Sequence, residues 1–526
     1  MTWATPFQLG DSEDTRQYVF IVALAALCLT FLLPWATAGR GKLPPGPKGL
    51  PLIGNLHQFP KVDLRITFAK WHKQYGPLVG IRLGPGKTLI IIGNHSVAKE
   101  LFGSRGQTYS SRPRMVMASE CMSKSMQTSL LSYGPQWKTH NKIQLSLIGS
   151  RKVRLYEEIM RHATIRVLRE LEQNKDHAKT FNRYLFSIIF GLAYGLRLED
   201  CEAEFEEILS IADSFTEALV GGQWAVDVFP VLNHLPSCVA PWKRVGEKFY
   251  TRMRAWLENN TQAALASNSW NWTKEVHTPE NLRQLGPHEL QHVLGVLFEA
   301  GVDSVATVLE FFVATCGSHP HVVVRAQAEI DEVVGAERLP SLDDIKNLPY
   351  VSAVIDEILR WRPIGPEGLP HQTMQDDLYR GYHIPKGATV IFSHWAAQME
   401  EETWTDPLLF RPERWLETNA NKPHTSPFGY GRRACPGNQF ARMALDLIIP
   451  RLLWAFEFDV WRGENENDSF DPWEMMQGSA LLKPAPFSAT FKPRSAQRKP
   501  VLDESYNEAT AFDLDEMLNE LGKAFA

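Results

Sequence analysis

The sequence predicts a mainly α-helical protein with small β-sheets, organised as one large domain behind an N-terminal transmembrane helix. Three observations carry this. Apolar residues recur with helical period over much of the chain, in one run spanning residues 288–319. No stretch of linker composition interrupts the chain between about residues 60 and 495, which overrides the three domains that 526 residues would otherwise imply. Residues 18–35, YVFIVALAALCLTFLLPW, are almost unbroken in apolar character.

As a helix that first segment rises roughly 27 Å, enough for a thin endoplasmic-reticulum bilayer. Tyr18 and Trp35 stand at its ends, where aromatic rings favour the membrane interface. Asp11, Glu13, Asp14 and Arg16 precede it, and Arg40, Lys42 and Lys48 follow. The positive-inside bias then places residues 1–17 in the lumen and the body in the cytosol. Ala36-Thr37-Ala38 would suit signal cleavage, but the leading region is acidic and the apolar run exceeds a signal core. In this orientation the sequons at Asn94, Asn259, Asn271 and Asn467 stay unglycosylated.

Residues 36–55 form a proline-rich hinge, since KLPPGPKGLPLIGN cannot continue a helix. It either links the anchor to the body or fixes how the body lies on the membrane. The body is expected over residues 56–495. Within it, residues 288–319 are too long and too apolar for a surface helix and should cross the interior. Residues 321–335 read as an amphipathic helix with Pro320 at its start and Gly335 at its end. Residues 348–361 form another helix, ended by Arg362-Pro363. Residues 380–393 carry β-branched runs around Pro-Lys-Gly, which predicts a hairpin in a minor sheet. Residues 496–526 are an acidic tail whose amphipathic segment sets Leu514, Met517, Leu518, Leu521 and Phe525 on one face. That face either binds a partner or packs back on the body.

The net charge of −5 offers no basic field for nucleic acid. Six scattered cysteines without a CxxC pair suit a reduced intracellular protein. One of them, Cys435, lies in FGYGRRACPGNQF with no neighbouring Cys or His to complete a disulfide or a zinc site. It is therefore a lone ligand or a nucleophile. Phe428 can cover the sulfur, and Gly429, Gly431 and Gly437 let backbone N–H groups approach. Pro436 stands where a helix can begin, and a helix N-terminus favours a thiolate. Arg433 suits an anionic carboxylate such as a propionate.

The pattern Phe-x-x-Gly-x-Arg-x-Cys-x-Gly resembles the haem-binding loop of the cytochrome P-450 superfamily, matched in full at Phe428, Gly431, Arg433, Cys435 and Gly437. The resemblance covers nearly the whole chain. It implies a single large haem domain, haem b as cofactor and Cys435 as the axial iron ligand. Glu357 and Arg360, spaced to pair on one helix face, and Arg414 match the family's structural Glu-Arg-Arg triad. AGVDSV, residues 300–305, resembles the family's oxygen-activating segment. Ala300 and Gly301 leave room for dioxygen and substrate, and Asp303 with Ser304 matches the acid–alcohol pair that delivers protons. Ser304 stands where the family usually has Thr, which leaves its hydroxyl less fixed.

Trp137 and His371 match further positions that hold haem propionates. The Arg expected four residues after Trp137 is Asn141, with His140 and Lys142 beside it as substitutes. Several blocks look most like fungal monooxygenases of secondary metabolism, the O-methylsterigmatocystin oxidoreductase-like group. That implies a small apolar substrate, such as a polyketide, alkaloid or terpenoid, and dioxygen. By family position the pocket draws on residues 115–126, 294–298, 363–367 and 476–481. The methionines of the first segment are either an adaptable pocket wall or plain core. No flavin or dinucleotide fingerprint is present, so electrons come from a separate protein, which the resemblance implies is a membrane NADPH–cytochrome P-450 reductase docking on the Cys435 side. Lys138, Lys142, Arg432 and Arg442 either contact that reductase or form a solvated basic face. Rival readings are a haem-thiolate isomerase or dehydratase, and a non-catalytic haem sensor.

Overall fold

A 32-residue helix, Pro287–Ser318, runs through the middle of the molecule. It starts at Pro287, whose missing N–H costs nothing in a first helical turn. It is buried along most of its length and packs against the helices His177–Tyr194, Pro241–Ala266 and Asn438–Ala455. The predicted interior helix thus exists within a residue at each end. The computed structural model describes residues 41–60, 63–84, 86–173, 176–198, 201–220, 224–417, 427–462, 471, 473–476 and 480–525. The predicted transmembrane helix lies outside them, and among the described residues no helix is long and apolar enough to cross a membrane.

The remaining helices follow their sequence signals. Pro320–Val333 opens on its proline, and Gly335 just beyond it takes a φ of +76°, which ends the helix. Pro349–Trp361 stops before Arg362-Pro363, as expected. Asn438–Ala455 tolerates Pro450 in its interior, within a fully buried run.

Among the described residues, three small sheets complete the fold. Strands β1 (Leu78–Arg82), β2 (Thr88–Ile92), β3 (His371–Gln372) and β6 (Thr389–Phe392) form one sheet in the order β1-β2-β6-β3, with β2 and β6 parallel. Strands β4 (Asp377–Tyr379) and β5 (Tyr382–Ile384) pair with each other, as do β7 (Phe456–Arg462) and β8 (Phe487–Pro493). The hairpin predicted over residues 380–393 is therefore wrong. Both strands exist, but β5 turns back on β4 while β6 inserts beside β2, some 300 residues earlier in the chain.

Glu357 accepts two hydrogen bonds from Arg360 at 2.8 Å and one from Arg414 Nε at 3.0 Å. Trp415 Nε1 and the Arg411 amide donate to the same carboxylate at 2.9 Å. The two guanidiniums spend their other donors on carbonyls of residues 398–409. This buried group ties the helix Pro349–Trp361 to the loop that leads into the Cys435 turn.

Residues 496–525 fold back rather than project. The helices Arg498–Ala511 and Leu514–Phe525 lie on the body, and Leu514, Leu518 and Leu521 are buried. Replacing Glu357 with Ala leaves two buried cations without their anion, and is expected to cost about 3–5 kcal/mol. Urea denaturation followed by circular dichroism checks this.

Candidate haem site

Cys435 sits on the wall of a cavity of about 430 Å³. Its amide donates to Phe428 O at 2.9 Å, which closes the loop expected from the sequence. Two glycines inside that loop take left-handed backbone angles, Gly429 at φ +80° and Gly431 at φ +69°. At Gly431 any side chain is also blocked: a Cβ would lie 1.8 Å from Phe102 O. Gly437 caps the helix that begins at Asn438, two residues beyond Pro436. The sulfur is accessible through the cavity, yet enough protein surrounds it that burial pushes the thiol up, partly offset by the backbone at Gly437.

Four groups converge on one end of the cavity: Arg112, Trp137, His371 and Arg433. Arg433 gives Nε to Ser110 O at 2.8 Å and Nη2 to Leu131 O at 2.6 Å, and lies 4.2 Å over the Trp137 ring. Its Nη1 is buried without a partner among the described residues. Arg112 donates to Ser129, Leu369 and Pro370 carbonyls at 2.7–3.0 Å. Burial, then the nearby Arg433, brings its guanidinium down to about 9. His371 Nδ1 lies 2.7 Å from Tyr109 O and its ring stacks on Phe102. Burial first, and then the two arginines, holds it well below the usual histidine range.

Among the described residues no carboxylate pairs with Arg112 or Arg433. Buried cations normally have an anion. A macrocycle carrying carboxylates would supply what this cluster lacks, and Cys435 on the same cavity wall could ligate its metal. The site therefore fits haem. Sequence reasoning missed Arg112, because an arginine within Ser-Ser-Arg-Pro carries no local signal of what its side chain reaches.

Asn141 lines the cavity where the family usually has Arg, and neither proposed substitute does. His140 is fully buried between Glu289, 2.8 Å from its Nε2, and Thr128 Oγ1, 2.9 Å from its Nδ1. Lys142 is exposed. Arg112 is the additional cation at the cavity.

On the interior helix, Ala300, Gly301 and Ser304 face the cavity. Gly301 also permits close helix packing, since a Cβ there would lie 2.6 Å from Ile189 Cδ1. Ser304 Oγ donates to Ala300 O at 2.7 Å. Asp303 is turned off the cavity lining and takes Lys483 Nζ at 2.7 Å in a mostly buried ion pair. Sequence reasoning missed Lys483 because it lies 180 residues away. One turn earlier, Glu299 accepts a hydrogen bond from Gln127, and burial pushes its carboxyl up to about 7.

The predicted pocket segments divide. Val296, Leu297, Pro363, Ile364, Glu367 and Leu481 line the cavity, whereas no residue of 115–126 does. Met117 and Met122 belong to the core instead. Of the four proposed surface cations, Arg442 is bound to Asp356 and Asp446, and Arg432 Nη1 donates to Tyr133 Oη. Lys138 lies 5.4 Å over the same Tyr133 ring.

Comparison with known proteins shows the family. The family model described as cytochrome P-450 matches residues 44–491. The cytochrome P-450 monooxygenase astF of Aspergillus oryzae is 48% identical, covering 98% of each chain. The cytochrome P-450 monooxygenase aneD of Aspergillus aculeatus is 43% identical, over 96% of this chain and 98% of its own. A zebra fish cytochrome P-450 solved with abiraterone superposes with a TM-score of 0.67 at 24% identity, over 82% of this chain and all of its own.

Gly431→Ala is expected to abolish haem incorporation, because both the backbone angle and the Phe102 carbonyl exclude a side chain; the ratio of haem absorbance to protein absorbance measures it. At Glu299, the folded chain holds a proton that the unfolded chain has released between the ordinary carboxylate range and about 7. Stability therefore falls as pH rises through that window, and Glu299→Gln should gain stability over the parent at about pH 8 but not at about pH 5. Urea midpoints at the two values check the sign.

Proposed function

The chain belongs to the cytochrome P-450 family and is a haem-dependent monooxygenase, and on that basis we propose that it hydroxylates or otherwise oxidises a small apolar natural product. The substrate class is a fungal secondary metabolite such as a polyketide, alkaloid or terpenoid. Dioxygen supplies the inserted atom, and a separate NADPH–cytochrome P-450 reductase supplies the electrons. One observation carries the reading: a lone thiol and a buried, anion-free cation cluster border the same largely apolar cavity. Haem held there supplies dioxygen activation and transfer of one oxygen atom to a C–H bond.

The chain's own residues divide the remaining tasks. Cys435 ligates the iron. Arg112, Trp137, His371 and Arg433 hold the carboxylates, with the orphaned Arg433 Nη1 as the strongest donor left to spend. Val296 and Leu297 of the interior helix, together with Ile364 and Leu481, exclude water and form the apolar wall that an apolar substrate contacts. Ser304 holds a proton on the cavity wall, and the neighbouring Asp303–Lys483 ion pair, with the Lys483 ammonium as the proton source, replenishes it. The triad of Glu357, Arg360 and Arg414 is structural.

Anchoring to the endoplasmic-reticulum membrane by residues 18–35 is part of the same proposal. It is supported by the apolar run itself and by Leu50, Leu52, Ile53, Phe229, Val231 and Val239, which are exposed large apolar side chains. Expression with a reductase and NADPH is expected to yield products one oxygen heavier in metabolite extracts, read by mass spectrometry. No product and no NADPH consumption across such extracts would remove the reading. Ser304→Ala should slow oxygen insertion by roughly a hundredfold while NADPH oxidation continues and peroxide accumulates.

A further inference from the structure

We infer that the two helices beyond residue 495 are a clamp on the wall beside Cys435, and that Phe525 and Tyr156 are positioning residues for haem. These helices, Arg498–Ala511 and Leu514–Phe525, lie outside the residues matched by the family model, which ends at 491. They are nevertheless joined to the site by an unbroken aromatic path.

The path starts at Phe525. Its ring lies 4.6 Å from the Trp270 ring and stacks on Tyr156 at 6.1 Å, with interplanar angles of 45° and 27°. Lys152 grips the same residue twice: its Nζ lies 3.9 Å from the ring centroid and donates to Phe525 O at 3.2 Å. Upstream in the same helix, Asn519 accepts from the Trp270 amide at 3.0 Å, and Gly522 leaves room for the Trp270 ring, which a Cβ there would approach to 2.8 Å. At the helix start, Leu514 sits over Gly191 of His177–Tyr194. The helix is thus fastened at its start, its middle and its end.

Tyr156 carries the connection inward. It is fully buried, donates to Leu147 O at 2.8 Å and accepts from Trp272 Nε1 at 2.9 Å. Its ring meets Trp272 edge-on at 5.6 Å and Phe440 at 6.1 Å. Trp272 and Phe440 both line the haem cavity, and so does Ile148, the residue after Leu147. Phe440 belongs to the helix that begins directly after the Cys435 loop. Ile148 lies 3.9 Å from where a Gly437 Cβ would be, beside the sulfur.

Tyr156 has its full hydrogen-bond complement on one side and aromatic neighbours on the others. Its position therefore depends on what covers it from outside, and Phe525 is that cover. Loss of Phe525 opens space behind Tyr156, and Phe440 and Trp272 lose their backing. Outer supports of this kind typically change cofactor affinity by about ten- to a hundredfold. The clamp is expected to act on how long haem stays bound and not on which substrate is chosen.

The test compares haem transfer from purified holoprotein to excess apomyoglobin. Phe525→Ala, Tyr156→Phe and a chain ending at Asp513 are set against Ile91→Val or Ile91→Ala, whichever loses the same Tm; Ile91 lies in the four-stranded sheet, in a core cluster that borders neither the clamp nor the haem cavity. The clamp predicts haem loss about tenfold faster in Phe525→Ala than in the matched sheet variant, with the rate restored by Phe525→Tyr. Equal rates at equal Tm, or no rescue by Tyr, would overturn it. Should the shortened chain fail to fold, the point variants still decide. Wild-type protein that binds no haem would overturn the family-based assignment of the site; a haem-loaded wild type with unchanged variant rates removes the clamp alone.

Discussion

The hydrogen bond from the Cys435 amide to Phe428 O closes a turn that can form only where the backbone tolerates two left-handed glycines. One of these, Gly431, runs so close to the Phe102 carbonyl that the turn and the segment leading to Arg112 are packed as one unit. The sulfur, the Arg112–Arg433 end of the cavity and the start of the Asn438–Ala455 helix therefore share a single backbone constraint. A shift in any of them moves the others. The glycines of this turn are thus steric conditions for placing one atom.

Two buried cationic groups in the molecule show how charge separates structure from function. Around Glu357, the two guanidiniums, the indole of Trp415 and the Arg411 amide all converge on one carboxylate, and the remaining donors find carbonyls. Nothing is left over, so the group holds elements together and offers nothing to a ligand. Around Arg433, three basic side chains crowd one end of a cavity with carbonyl partners and no anion, and one guanidinium nitrogen has no partner among the described residues. The same residue types are complete in one place and incomplete in the other. Incompleteness is what marks a ligand site.

What was legible in the sequence was local. The Cys435 turn is a ten-residue pattern, and the interior helix is a continuous apolar run with helical period, so both could be read directly. What escaped needed contacts across the chain. The strands around residues 380–393 have ordinary β signals, but their partners lie in β2 and β4, and a Pro-Lys-Gly turn looks the same whether or not it joins paired strands. Arg112 and Lys483 act on Trp137's end of the cavity and on Asp303 from distant segments, and neither has a neighbour pattern that reveals it. His140 was misleading for the converse reason: it sits one residue from the expected position, which on a helix turns it about 100° away and into Glu289. Met117 and Met122 of residues 115–126 fill core, a role that composition alone does not separate from a pocket wall.

The central claim is that Cys435 binds haem iron as a thiolate. The most direct measurement is the absorption spectrum of the purified full chain after reduction and addition of carbon monoxide. The account predicts a Soret band displaced far to the red of that given by nitrogen-ligated haem, and its disappearance in Cys435→Ser. Colourless protein after growth with ample iron and haem precursor, or a displaced band that survives that substitution, would contradict it.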